Sequence, residues 1–218
     1  ILMAQAGCPV FVLPMPQMGT TGPMSVLGTS ILNMAELLSA VVLFQLAVPG
    51  CALVSAVGSA VAEMRSGLYL SGAPEDGLIN VICIEMSRFY GLRTQGSAVS
   101  CDAKACDLQA GAEGMLTGLA SALAGADVLL AFGLMDGAQT ASLAKTVLDA
   151  DTVNAIERFA REDPVDATTA LIDDIVEVGI GGHYLGRKST RQFYRAGELW
   201  QPQLWQRQPF EQYVDSPL

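Results

Sequence analysis

The chain has 218 residues, of which 51% are hydrophobic, 16% charged and 6% aromatic, and so much apolar side chain excludes a disordered segment. A net charge of −10, from 12 basic and 22 acidic residues, excludes a broad electrostatic grip on nucleic acid, which needs clustered Lys and Arg. The length allows one large domain or two small ones. Because the sequence starts at Ile1 without an initiator methionine or a signal-peptide n-region, it reads as part of a longer chain.

Charge is unevenly distributed: from Ile1 to Ala62 the only Asp, Glu, Lys or Arg is Glu36. A membrane segment is one reading of such a stretch. The longest apolar run, Leu37 to Val48, contains Ser39 and Gln45 and stops at Pro49 and Gly50, short of the roughly 20 residues a spanning helix needs. Elements buried on both faces of an α/β protein give the same hydropathy, and no membrane association is expected. Five cysteines (Cys8, Cys51, Cys83, Cys101, Cys106) at irregular spacing indicate buried free thiols in a reducing, cytoplasmic setting. With His183 as the one histidine, no tetrahedral zinc set is completed, and no metal is expected.

In chain order, the first element is a short β-branched run, Pro9 to Leu13, followed by a Gly/Pro-rich turn and a long helix from about Met24 to Ala47, with Pro23 placed for its first turn. Cys51 to Val57 is a second strand, and the loop after it carries Glu63, Arg65 and Gly67. A helix begins near Pro74, where Glu75 and Asp76 suit its dipole, and runs to Tyr90. A weaker strand over Leu92 to Ser97 precedes a helix from about Ala105 to Ala124. Asp127 to Phe132 is the clearest strand, followed by a helix from Leu143 to Arg161 and another from Pro164 to Val178.

Short buried strands alternating with helices of a dozen residues or more imply parallel βα units. Four such units are half of a (β/α)8 TIM-type barrel; a small doubly wound open sheet is the alternative. The expected division is residues 1–180 as the carboxyl-terminal part of a barrel and 181–218 as a helical tail. In either architecture function collects in the loops after the strands, which here hold Gln17, Glu63, Arg65, Asp102, Lys104, Asp136 and Gln139, with Gly181, Gly182, His183 and Tyr184 in the last segment. Each also has a plainer role: Asp102 and Asp136 as helix caps, His183 as a turn residue, Arg65 as the partner of Glu63. The basic set Arg187, Lys188, Arg191 and Arg195 has helical spacing and is either a solvated face or a partner surface. Walker, nucleophile-elbow, HExxH and GxGxxG patterns are all missing from the sequence.

Particular strings carry more information than composition. MGTTGPMSVLG (Met18 to Gly28), MRSG (Met64 to Gly67), Pro74-Glu75, CDAKACDLQAGAEG (Cys101 to Gly114), LAGADVLL (Leu123 to Leu130), and GGHYLG with the later ELWQPQL (between Gly181 and Leu204) occur in this order. The set resembles the trimethylamine methyltransferase family, most specifically in Asp102 to Lys104, Asp107 and Gln109 to Gly111. The resemblance implies the carboxyl-terminal portion of a (β/α)8 barrel. It also implies transfer of a methyl group from a methylated amine to the Co(I) of a corrinoid carried by a separate protein, with no cofactor bound directly. Co(I) is itself the nucleophile, so such an enzyme positions, desolvates and manages the leaving group.

Family members acting on trimethylamine use pyrrolysine to activate a tertiary amine, whereas a quaternary ammonium leaves as a neutral amine without such help. All 218 residues are ordinary amino acids, so the chain resembles the branch without pyrrolysine and its betaine-like donors. For that substrate, Phe132, Tyr184, Asp102 and Asp136 are expected around the cation, and Lys104, His183 and glycine amides at its carboxylate. After GGHYLG the family has a histidine-containing stretch, where this chain has Arg187, Lys188 and Ser189; these, with Arg191, are candidates for docking the corrinoid protein. A non-catalytic amine-binding barrel and a different barrel enzyme are the alternatives, and the apolar share leaves room for self-association.

Overall fold

The structure, a computed structural model, describes residues 1–215. The chain divides into two units, Ile1–Ala160 and Arg161–Leu218, so the boundary expected at 180/181 falls within the second.

In the first unit, a single helical turn α1 (Leu2–Gln5) leads to β1 (Val10–Val12), bracketed by Pro9 and Pro14, which have no amide hydrogen to extend a ladder. A two-residue strand β2 (Gln17–Met18) precedes α2 (Val26–Ala47). The N-cap of α2 is Ser25, whose Oγ accepts from the Gly28 amide at 3.0 Å. Pro23, expected in the first turn, instead lies before the cap, and its carbonyl accepts from Thr29 Oγ1 at 2.8 Å. Next come β3 (Leu53–Ala56), the short β4 (Ala60–Ala62) and β5 (Tyr69–Leu70), and α3 (Pro74–Phe89). Pro74 occupies the first turn of α3, where its missing amide hydrogen is no loss.

The strand β6 (Arg93–Ser97) is followed by α4 (Leu108–Leu123), which starts later than the spacing predicts because Asp107, not Asp102, is its N-cap; Asp107 Oδ1 accepts from the Ala110 amide at 3.2 Å. Finally β7 (Val128–Leu130), a small hairpin of β8 (Leu134–Met135) and β9 (Thr140–Ala141), and α5 (Leu143–Ala160) complete the unit.

The principal sheet has the order β1-β3-β6-β7, every pair parallel. Strand order follows chain order with no reversal, whereas a doubly wound sheet requires one. Helices α2, α3, α4 and α5 pack each on the next. Between sheet and helices lies a core of Leu37, Ile79, Cys83 and Ile84 with Met18, Val57 and Val61, each large aliphatic side chain contributing about 1.5–3 kcal/mol. A second cluster joins Ala98 and Val99 to Val153 and Ile156. The pairs β2-β4 (parallel) and β4-β5 (antiparallel) form a small sheet within the loops after β1 and β3; two or three residues are too few for a hydrophobic period to announce.

Helix α2 is long and apolar enough to cross a membrane by length and composition alone, longer than the apolar run Leu37–Val48 suggests. It also carries a polar side that is buried: Thr29, Ser30 and Asn33 are shielded, and Asn33 Nδ2 donates to Ser59 Oγ at 2.7 Å and to the Pro14 carbonyl at 3.4 Å. Its outer side exposes Leu27, Ile31, Val42, Leu43 and Leu46.

The second unit contains α6 (Ala167–Ala170), α7 (Ile172–Val178), α8 (Lys188–Arg195) and α9 (Phe210–Asp215). The single helix expected from Pro164 to Val178 is broken at Leu171, which adopts φ +50. All five cysteines are free thiols; Cys83 and Cys101 are buried and Cys8 and Cys51 half-buried, but Cys106 is exposed, against the expectation of burial.

Candidate functional site

The carboxyl ends of the four parallel strands open onto a cavity of about 400 Å³. Its wall takes Leu13 from the end of β1, Val57 from the end of β3, Gln95 and Ser97 from β6 and Leu130 from β7. The small sheet and hairpin close its sides through Ser59, Tyr69, Ser71 and Leu134, and the first turn of α3 contributes Asp76. Short strands bounded by Gly and Pro thus deliver residues far apart in sequence to one concave surface, as parallel sheets do.

Most polar groups on this wall already have partners. Tyr69 Oη donates to the Gly58 carbonyl at 3.1 Å, Gln95 Nε2 to the Gly96 carbonyl at 2.7 Å, and Ser97 Oγ to Ser100 Oγ at 3.2 Å. Burial, reinforced by Asp76 and Asp102, raises the Tyr69 phenol and keeps it protonated. Asp76 is 2% exposed. Its Oδ1 accepts from Asn80 Nδ2 at 3.3 Å, and Asn80 in turn accepts from the Ser97 amide at 3.0 Å, fixing the amide's orientation. Burial, and secondarily the charge of Asp102, holds the Asp76 carboxyl well above the usual carboxylate range. Asp76 Oδ2 and Ser71 Oγ are buried without a hydrogen-bond partner.

Behind the wall, Asp102 accepts from the Ser71 amide at 2.8 Å and the Gly72 amide at 3.1 Å. Its own amide donates to Glu113 Oε2 at 2.7 Å, and Gln109 Nε2 holds the other Glu113 oxygen at 2.7 Å. Burial raises the Asp102 carboxyl, although the two amides oppose the shift. Of the DAK, D and QAG residues, Asp102 therefore braces the turn that carries Ser71, with Gln109 behind it through Glu113, while Asp107 caps α4. Lys104 donates to the Asp102 carbonyl and pairs with Asp136, each at 2.7 Å, so Asp102, Lys104 and Asp136 are brought together. Asp136 does not cap a helix; it adopts φ +54 in the β8-β9 turn.

Phe132 lies exposed in the loop after β7 and is not part of the cavity wall. His183 and Tyr184 are exposed in the second unit. Arg187 there is held by Asp174 and by Glu177, the latter at 2.6 Å, while Lys188 and Arg191 are exposed on α8. Gln17, in β2, and Glu63 and Arg65, in the turn between β4 and β5, lie outside the wall, Glu63 accepting from the Arg65 amide at 3.1 Å.

Sequence reasoning missed Asp76, Tyr69, Ser71 and Asn80 as site residues. Asp76 looks like an ordinary dipole-compensating acid, since nothing in its immediate neighbours reveals that it is sealed in. A buried pair also escaped notice: Lys145 Nζ and Asp149 Oδ2 lie 2.6 Å apart with side chains 3% and 7% exposed. Lys145 also donates to the Val99 carbonyl at 2.6 Å and Asp149 accepts from the Gly133 amide at 2.7 Å, tying the loops after β6 and β7 to α5. The i,i+4 spacing was legible, but such spacing usually marks a surface pair. Among the described residues, no group of three or more His, Cys, Asp or Glu could hold a metal ion.

The family profile described as trimethylamine methyltransferase (MTTB) matches residues 1–216. The chain is 35% identical over 189 residues to trimethylamine methyltransferase MttB of Methanosarcina barkeri, covering 87% of this chain and 38% of that protein. It is 32% identical over 216 residues to glycine betaine methyltransferase of Desulfitobacterium hafniense (strain Y51), covering 99% of this chain and 45% of that protein. It therefore spans less than half the length of these relatives. Matched from its first residue to residue 216, the chain belongs to the trimethylamine methyltransferase family.

Proposed function

We propose that this chain is the carboxyl-terminal half of a (β/α)8 barrel enzyme that moves a methyl group from a betaine-like quaternary amine, or trimethylamine, to the corrinoid of a separate protein. Support for the barrel comes from the unreversed parallel order β1-β3-β6-β7, its single run of neighbouring helices, and the greater length of the relatives. Free thiols fit a cytoplasmic setting.

The observation that carries the reaction is the cavity at the carboxyl edge of the sheet, largely apolar with a few converging polar groups. Apolar side chains from Leu13, Met15, Val57, Leu130 and Leu134 suit N-methyl groups and exclude water from them. The Tyr69 ring, anchored through Gly58, offers a face to a cation. Among the described wall residues there is no thiol or imidazole to accept a methyl group, which fits an acceptor delivered from outside. A corrinoid presented at the mouth would supply that acceptor. Asp102 then acts through the wall, holding the Ser71-Gly72 turn by its two amide bonds. Lys104, Phe132 and Asp136 form the neighbouring loops; Phe132 and Asp136 are proposed to meet the cationic end of the substrate and Lys104 its carboxylate. His183 and Tyr184 remain proposed substrate contacts. Lys188 and Arg191 are proposed to meet the corrinoid protein, with Arg187 as the ion-paired start of their helix.

The test is to mix the protein with a reduced corrinoid protein and a panel of quaternary amines and trimethylamine, following the cobalt spectrum. Methylation with at least one amine is expected. Amine binding without cobalt methylation would instead make this a binding barrel.

A further inference from the structure

The cavity wall leaves one charge-bearing group unaccounted for. Buried polar atoms are almost always hydrogen-bonded, and here Ser59, Tyr69, Gln95, Ser97 and Ser100 all are. Asp76 Oδ2 and Ser71 Oγ are the exceptions, and both residues line the cavity. An ionised carboxylate in that position, with one weak amide contact at Oδ1 and nothing at Oδ2, would bear a large desolvation penalty. The ionisable groups that face it are Tyr69 from β5, Asp102 from the loop after β6 and Cys83 on its own helix. None of these is a cation. A neutral carboxyl is therefore the resting form, and a cation in the cavity is what would make the ionised form favourable.

We propose that Asp76 is the counter-charge of the substrate site, holding a proton while the cavity is empty and surrendering it to solvent when a methylated ammonium cation enters. This rests on the methyl-transfer reading for the identity of the cation. The exchange balances: the O–H bond of Asp76 breaks, its electron pair stays on the carboxylate, the proton passes to water, and no bond of the ammonium changes. The electrostatic consequence is that the carboxyl and the ammonium group together are neutral, as the protonated carboxyl is alone. A neutral isostere leaves Asp76 protonated, so only a cation couples its binding to proton release. Sequence position conceals this role, since an acid in the first turn of a helix ordinarily serves the helix dipole.

Isothermal titration calorimetry of the full chain with tetramethylammonium and with glycine betaine, neither of which carries an N–H, tests the exchange directly. Repeating each titration in two buffers of different ionisation enthalpy should show release of up to one proton per cation bound. On the acid side of the Asp76 transition, affinity should rise about tenfold per pH unit, and tert-butanol of similar shape should show neither effect. Asp76→Asn, which keeps the size and leaves an oxygen for Asn80, should bind the cations more weakly with no proton release and no pH slope. Binding of both cations by the unmodified protein without proton release, or no binding of either, would overturn the proposal; neither result needs the variant to fold. The two readings fail separately. Proton-coupled cation binding without cobalt methylation rejects methyl transfer alone, whereas cobalt methylation with proton-independent binding rejects the exchange alone.

Discussion

Replacing Lys145 by Met should be among the most damaging single changes in the first unit. The methionine nearly fills the same volume, so little packing is lost, but the Asp149 carboxylate keeps only the Gly133 amide and the Val99 carbonyl loses its donor. Breaking a buried ion pair from one side destabilises by about 3–5 kcal/mol, a large share of the roughly 5–15 kcal/mol that holds a typical domain together. For a unit of this size, 1 kcal/mol moves the midpoint by about 2–4 °C, so a fall of roughly 6–20 °C is expected by circular dichroism. The double variant Lys145→Met with Asp149→Asn removes the stranded charge yet leaves an oxygen for Gly133, and should regain more than half the loss. Urea titration at neutral pH gives the corresponding free energies. A single-variant loss below about 1 kcal/mol, or a double variant no more stable than the single, would refute the argument from an uncompensated charge.

Other expectations concern packing, bracing and pH. Gly96→Ala should destabilise by about 1–3 kcal/mol, because its new methyl group would lie 2.6 Å from Cβ of the fully buried Ser121, so the backbones of β6 and α4 must part; a midpoint equal to wild type in urea would contradict this. Asp102→Asn leaves one acceptor for the two amides of Ser71 and Gly72, at a loss of about 1–3 kcal/mol, and amide exchange at Ser71 should accelerate by at least tenfold. The Asp127 carboxyl is raised by burial but lowered more by the Thr94 amide and hydroxyl and by Arg93. Its stabilising effect is thus present above the ordinary carboxylate range and lost as pH falls through its depressed folded value, and Asp127→Asn should flatten that acid limb. Asp76 has the opposite sign. Its stabilising effect is complete at acid pH and declines as pH rises through its raised folded value, so Asp76→Asn should flatten the upper limb in denaturant titrations across pH.

The repeating βα pattern was legible because it rests on period. Asp127 to Phe132 and the core of α3 carry enough apolar residues at strand or helix spacing to fix their type, whereas strands of two or three residues and ends such as Asp107, where one cap displaces another, do not announce themselves. The second unit is less legible: helical spacing runs through Leu171, whose left-handed backbone no property of leucine announces. The candidate site divides along a similar line. Lys104 and Asp136 are loop residues beyond strands, and topology alone predicts that they meet. Asp102 is expected at the cation or as a helix cap, whereas it accepts from two backbone amides, which have no signature in a sequence. The chemistry of Asp76 depends on what surrounds it in three dimensions, from β5, the loop after β6 and α3 itself.

Val99 sets the order in which this structure comes apart. A β-branched residue at φ +47 resists its own backbone conformation, and with Gly114 pressed against its Cα region the segment has little room to relax sideways. What keeps the loop wound is the ammonium of Lys145 on the Val99 carbonyl. Local opening should consequently begin at this latch rather than in the sheet, with exchange of the amides from Ala98 to Ala103 preceding that of β3 and β6. A loop beside the cavity that is held wound by one buried amine over a reluctant valine can lose its shape while the fold survives, and amide exchange there should outrun loss of helix content on partial heating.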